Sequence, residues 1–137
     1  MSGKVHIYNK KTMNFYRCAR CGKIIAVVEG IKSIPSVCCG EPMAELIPNT
    51  QDGAREKHLP VVKQEGNVVT VTVGEVEHPM LDVHYIQWIV LRTNLGNRRR
   101  VLTPNEKPVA RFILDENERV LEVLEYCNLH GLYSVVF

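Results

Sequence analysis

The chain has 137 residues, 45% of them hydrophobic, and a formal net charge of +2. That length allows one main core with a small appendage, and so mild a charge does not demand a polyanionic partner, since nucleic-acid-binding surfaces usually show a far stronger basic bias. No apolar run reaches the roughly 18 residues of a membrane span, and residues 1–8 lack the apolar stretch of a signal peptide, so a cytoplasmic protein is expected. In a reducing compartment Cys18, Cys21, Cys38, Cys39 and Cys127 read as metal ligands or catalytic groups before disulfides.

Residues 1–14 are polar and basic and carry no motif, and they are expected to form an extension. His6 lies in it, away from the other histidines. From Phe15 an aromatic strand end runs into Cys18-Ala19-Arg20-Cys21-Gly22, a metal knuckle whose glycine allows positive φ and so lets backbone amides face the sulfurs. An apolar strand over 24–28 and a loop holding Gly30 and Pro35 lead to Cys38-Cys39-Gly40. Sixteen residues separate Cys21 from Cys38, a spacing that fits two halves of a four-cysteine site. Neighbouring side chains in an extended chain point opposite ways, so adjacent cysteines should distort the tetrahedron and the local backbone. Iron coordinated by the four cysteines is the expectation, with zinc or a vicinal disulfide as alternatives.

The turn formers Pro48-Asn49-Thr50-Gln51-Asp52-Gly53-Ala54 divide a small cysteine domain, 15–49, from a larger one, 50–137. A piece of about 40 residues rarely folds without a staple, which makes the metal a folding requirement for the first. The second reads as all-β. Segments 61–64 and 68–73 make a hairpin around Glu65-Gly66-Asn67. Segment 83–91 alternates, with His84, Ile86, Trp88 and Val90 on one face. Strands over 109–114, 119–126 and 132–137 complete a β-sandwich. Arg98-Arg99-Arg100 is expected in a solvated loop, with binding of phosphate or an acidic partner as the alternative.

Cys127 and His130 can reach one ion from a single turn. His58 in the lead-in to the first strand, His78 in a turn and His84 opening a strand are the further candidates. Four imidazoles and one thiolate are too many for tetrahedral zinc but suit iron with one open position.

Cys18-x-x-Cys21-Gly22, Cys38-Cys39-Gly40-Glu41-Pro42-Met43, Glu56-Lys57-His58, His78-Pro79-Met80-x-x-x-His84-Tyr85-Ile86-x-Trp88-Ile89 and Cys127-Asn128-x-His130-Gly131 together resemble desulfoferrodoxin, the two-iron form of superoxide reductase. The resemblance runs over nearly all of 15–134. It implies a desulforedoxin-like domain with a distorted four-thiolate iron centre on Cys18, Cys21, Cys38 and Cys39, followed by an immunoglobulin-like sandwich. In the sandwich it implies a catalytic iron with His58, His78, His84 and His130 equatorial and Cys127 axial. The activity implied is one-electron reduction of superoxide to hydrogen peroxide, without dioxygen release, in a homodimer supplied by rubredoxin or a similar small donor. No nucleic acid or membrane partner is expected.

Lys57 is the candidate for steering the anion and orienting a proton-donating water. By resemblance, Glu56 closes the open position once the iron is ferric. Tyr133 stands where relatives often carry tryptophan, a difference expected to alter packing without touching a ligand. The alternative function is a rubredoxin-like electron-transfer protein using the four-cysteine iron alone, and after it a zinc-ribbon binding module.

Overall fold

Short runs of β-branched and aromatic residues broken by Gly, Pro and Asn favour strands, and the computed structural model folds the chain as all-β with one helical turn among the described residues. The structure describes residues 13–29, 36–50 and 55–137. Most of the expected extension, Gly30, Pro35 and residues 51–54 lie outside them. The chain divides into two units, Met1–Ile47 and Pro48–Phe137. No described helix is long and apolar enough to cross a membrane.

In the first unit β1 (Asn14–Arg17) lies between β2 (Ile24–Val27) and β5 (Ala44–Leu46), both antiparallel to it. The two-residue strands β3 (Val37–Cys38) and β4 (Glu41–Pro42) form a separate hairpin. Among the described residues, Tyr16, Cys18 and Met43 form the buried cluster of this unit, with Ile25, Val27 and Cys38 packed against it. So small an apolar core supplies little stability by itself.

The second unit opens with the helical turn α1 (Arg55–His58), followed by β6 (Pro60–Glu65), β7 (Val68–Val73), β8 (Ile86–Thr93), β9 (Asn97–Val101), β10 (Val109–Ile113), β11 (Val120–Cys127) and β12 (Gly131–Val136). They form two antiparallel sheets, ordered β10-β7-β6 and β12-β11-β8-β9. Val69, Val71, Val73, Ala110 and Phe112 from the first sheet meet Ile86, Ile89, Leu91, Val123 and Cys127 from the second in one core. β7 keeps the strict alternation of a strand with one face on that core.

β8 departs from the alternation expected of it, since every residue from Trp88 to Thr93 is buried. On the face away from the inter-sheet core Trp88 stacks on Tyr126 at 5.6 Å. There too Arg92 pairs with Glu122 at 2.9 Å, and the Ser134 hydroxyl donates to the same carboxylate. A register shift between Tyr126 and Cys127 leaves Gln87 as an extra residue on β8, so that Ile86 and Cys127 both reach the core.

The arginine run is not a loop. Arg98, Arg99 and Arg100 lie on β9, paired with Leu91, Val90 and Ile89. Thr93 nucleates the preceding turn, its hydroxyl oxygen accepting from the amides of Leu95 and Gly96. β9 ends the sheet order, and charged side chains are tolerated on such an edge.

Candidate metal centres

In the first unit the chain after β1 tightens around Cys18: the Gly22 amide donates to Cys18 O at 2.9 Å and the Cys21 amide to Cys18 Sγ at 3.5 Å. Gly22 takes φ +80, a left-handed conformation that glycine adopts without strain where the chain turns away from the knuckle. Cys38 ends β3 and pairs with Glu41, which leaves Cys39-Gly40 as a two-residue turn with φ +52 and +78. Positive φ at both central positions is what a type I′ hairpin requires. The adjacent cysteines meet because of this turn, for it swings Cys39 Sγ back to 4.0 Å from Cys38 Sγ.

Cys21 Sγ lies 3.7 Å from Cys38 Sγ, and all four sulfurs lie within 4.8 Å of one another. Cys38 and Cys39 are not bonded as a disulfide, whose sulfurs would be about 2 Å apart. The Cys21 amide leads in lowering the Cys18 thiol to about 6, while neighbouring thiols, Cys21 first, push Cys39 up to about 12. Four sulfurs this close cannot all carry charge unless a cation sits among them. The donor set therefore fits a thiolate-loving metal ion.

The second group joins five residues of the sandwich unit. His58 closes α1 and His78 lies in the β7–β8 connection, each 2% exposed. Cys127 ends β11, fully buried, and His130 stands in the turn to β12. His84 does not open a strand; it exchanges backbone hydrogen bonds with Leu81, at 2.9 and 3.1 Å, two residues short of β8. That turn is tied to the Cys127 turn by Asn128. Its Oδ1 accepts from the Tyr85 amide at 2.9 Å and its Nδ2 donates to Val83 O at 3.0 Å. Asn128 was legible only as part of a motif; its role emerges from the fold.

His58 Nε2 lies 3.2 Å from His78 Nε2 and 3.0 Å from His130 Nδ1, and Cys127 Sγ is 3.9 Å from His130 Nδ1. Successive rings meet edge to face, 4.6 to 5.1 Å between centroids. His78 Nδ1 donates to Pro79 O at 2.7 Å, which fixes its tautomer and leaves the Nε2 lone pair facing its neighbours. His84 Nε2 is buried without a hydrogen-bond partner. Burial lowers His78 to about 4 and also lowers His84, helped there by His130 and the Lys57 charge. Burial raises the Cys127 thiol. The neutral His78 and His84 rings, the orphaned His84 nitrogen and a Cys127 thiol that needs a cation to ionise form a set that fits a metal ion.

Lys57 is exposed beside His58. The backbone of Glu56 belongs to α1, but its side chain lies outside the described residues. Tyr133 corrects the expectation made for it. It is 1% exposed and stacks on His58, ring centroids 4.7 Å apart, because β12 returns directly beneath the histidine group. Of the three arginines, Arg98 pairs with Glu118 and Arg100 with Glu106. Only Arg99 has no acidic partner among the described residues, so the run is a weaker basic patch than its composition suggests.

Fold and sites define a class: a β-protein of two units, one holding a four-sulfur metal-binding group and the other a group of four histidines and a cysteine. Family models described as Desulfoferrodoxin, N-terminal domain, and Desulfoferrodoxin match residues 10–46 and 50–136. The desulfoferrodoxin of Syntrophotalea carbinolica is 46% identical over 122 residues, covering 89% of this chain and 94% of that one. That of Nitratidesulfovibrio vulgaris is 42% identical over 116 residues, covering 85% and 90%. The crystal structure of the superoxide reductase from Treponema pallidum superposes with a TM-score of 0.80 at 34% identity, covering 90% of this chain and 98% of that one. The chain belongs to the desulfoferrodoxin family.

Proposed function

We propose that the protein is a superoxide reductase. The observation that carries this reading is the convergence of His58, His78, His84, Cys127 and His130, donor atoms within 4.8 Å, in a unit similar to superoxide reductases. Iron held by these residues would supply one electron to superoxide, which with two protons leaves as hydrogen peroxide.

The chain's own residues prepare that chemistry. Burial keeps His78 and His84 neutral, as ligands must be, and Pro79 O holds the His78 ring in the ligating tautomer. Cys127, His58 and His78 are buried while His84 and His130 are partly exposed, so a small anion would approach the group from the latter side. Lys57, exposed and close enough for its charge to act on His84, would draw superoxide there and orient a proton-donating water. Glu56 would supply a carboxylate ligand to the iron in its oxidised state.

The finer assignment is two irons per chain. One is on Cys18, Cys21, Cys38 and Cys39 in a domain 15–49 after an extension 1–14, and one is in a domain 50–137. The chain would act as a cytoplasmic homodimer drawing electrons from rubredoxin or a similar donor. An electron-transfer protein using the cysteine group alone would leave the histidine convergence without a use. The test is elemental analysis of protein purified without added metal, coupled to superoxide consumption. Two irons per chain, with one hydrogen peroxide formed per superoxide and no dioxygen, is expected; zinc alone, or dioxygen release, would sink the reading.

A further inference from the structure

Gly74 directly follows β7 and is buried at φ +87. A Cβ at this position would lie 2.4 Å from Val76 O, 2.7 Å from Lys57 O and 2.9 Å from Lys57 C. All three neighbours are backbone atoms, which cannot rotate out of the way as a side-chain tip could. The Gly74 amide meanwhile donates to Leu59 O at 3.1 Å, and the His78 amide to Val73 O at 3.4 Å. Residue 74 is thus packed between two strands of backbone: the one leaving α1 with Lys57 and His58, and the one running through Val76 to His78. The two histidines these segments deliver have their Nε2 atoms 3.2 Å apart.

We infer that Gly74 is a positioning residue, the seat that lets the Lys57–His58 turn and the His78 loop close to ligating distance. Any side chain there must move one segment or the other by several tenths of an ångström, which carries His58 away from His78 or lifts the steering cation. The role deepens the metal-centre reading and rests on it.

Gly66, at the other end of β7, supplies the control. Its φ is +60, so alanine is conformationally strained there too, yet nothing lies within 4 Å of a Cβ at that position. Comparing the two separates a cost of backbone conformation from the loss of a seat. Iron-loaded full-length wild type, Gly74→Ala and Gly66→Ala are challenged with a chelator, and iron remaining per chain is measured with the spectra of both centres. Gly74→Ala is expected to hold iron at the histidine group roughly 10- to 100-fold more weakly, the effect typical of losing a group that orients ligands. It should keep its cysteine-group iron, and Gly66→Ala should resemble wild type at both. Equal retention at the histidine group in the two variants would overturn the role. A wild type holding no metal at that group would overturn the metal-centre reading and this role with it.

Should Gly74→Ala fail to fold, amide exchange on wild type decides the matter. Removing the histidine-group metal should speed exchange at the Gly74 amide, whose acceptor is Leu59 O, while the mid-strand amides of β7 stay protected. An unchanged Gly74 amide would overturn the role.

Discussion

Tyr133 and His58 stack with ring centroids 4.7 Å apart and planes 27° from parallel. The pair holds one face of a candidate ligand against a wholly buried aromatic ring, so His58 has little freedom to turn from its neighbours. Tyr133→Phe keeps the stacked ring and should retain the histidine-group metal. Tyr133→Ala should lower stability by about 3–5 kcal/mol, as other large-to-small aromatic core changes do, and release the histidine-group metal. Denaturant melts followed by Trp88, the single tryptophan, with metal analysis of the same samples, check both outcomes.

Lys57→Ala should slow the bimolecular reaction with superoxide by ~10-fold at low salt and flatten its dependence on ionic strength. Stopped-flow or pulse-radiolysis rates across a salt series measure both. A rate and salt slope equal to wild type would remove Lys57 from the reaction.

Acid should destabilise the metal-free sandwich unit in a defined window. His78 binds its proton near 6.5 when unfolded but only near 4 in the fold, chiefly through burial. Between those values the unfolded chain holds more protons, so stability rises with pH and is lost as pH falls through the window. Thermal midpoints of chelated protein read through Trp88 should drop over that range, and His78→Asn should flatten the profile.

Cys39→Ser should cost the first unit its metal and leave the histidine-group metal in place. The substitution keeps the strained φ of +52 but replaces the sulfur. Loss of one metal equivalent per chain by elemental analysis is expected; retention of both would show that Cys39 is not a ligand.

Glu122→Ala removes the carboxylate that faces Arg92, itself 1% exposed, and that accepts from Ser134. Breaking a buried pair from one side costs about 3–5 kcal/mol. Chemical denaturation should report that loss with the histidine-group metal still bound.

What could be read in advance followed from local chemistry. The β6–β7 hairpin was legible because Gly66-Asn67 sits between alternating runs, and Cys39-Gly40 signalled a distorted turn because neighbouring cysteines cannot otherwise converge. β9 escaped notice because Asn97-Arg98-Arg99-Arg100-Val101 shows no apolar alternation; its pairing comes from β8 and from the Thr93 turn. The second buried face of β8 was equally hidden, since Arg92 reads as a surface residue until Glu122 is placed opposite it. Candidate ligands could be named from spacing, whereas the Tyr133 stack and the Asn128 tie depend on partners distant in the chain. α1 is too short for any helical period to register.

His58 and His130 stand 72 positions apart in the chain, one leading into the first sheet and the other between the last two strands of the second, yet their ring nitrogens lie 3.0 Å apart. An ion that both residues ligate is therefore a clasp across the sandwich. Closing a loop of that length takes freedom chiefly from the unfolded chain, and the expression used for covalent links puts the effect at about 4 kcal/mol. Iron supply would then govern the protein's lifetime as well as its chemistry, because a chain starved of metal opens more often and is exposed sooner to proteases.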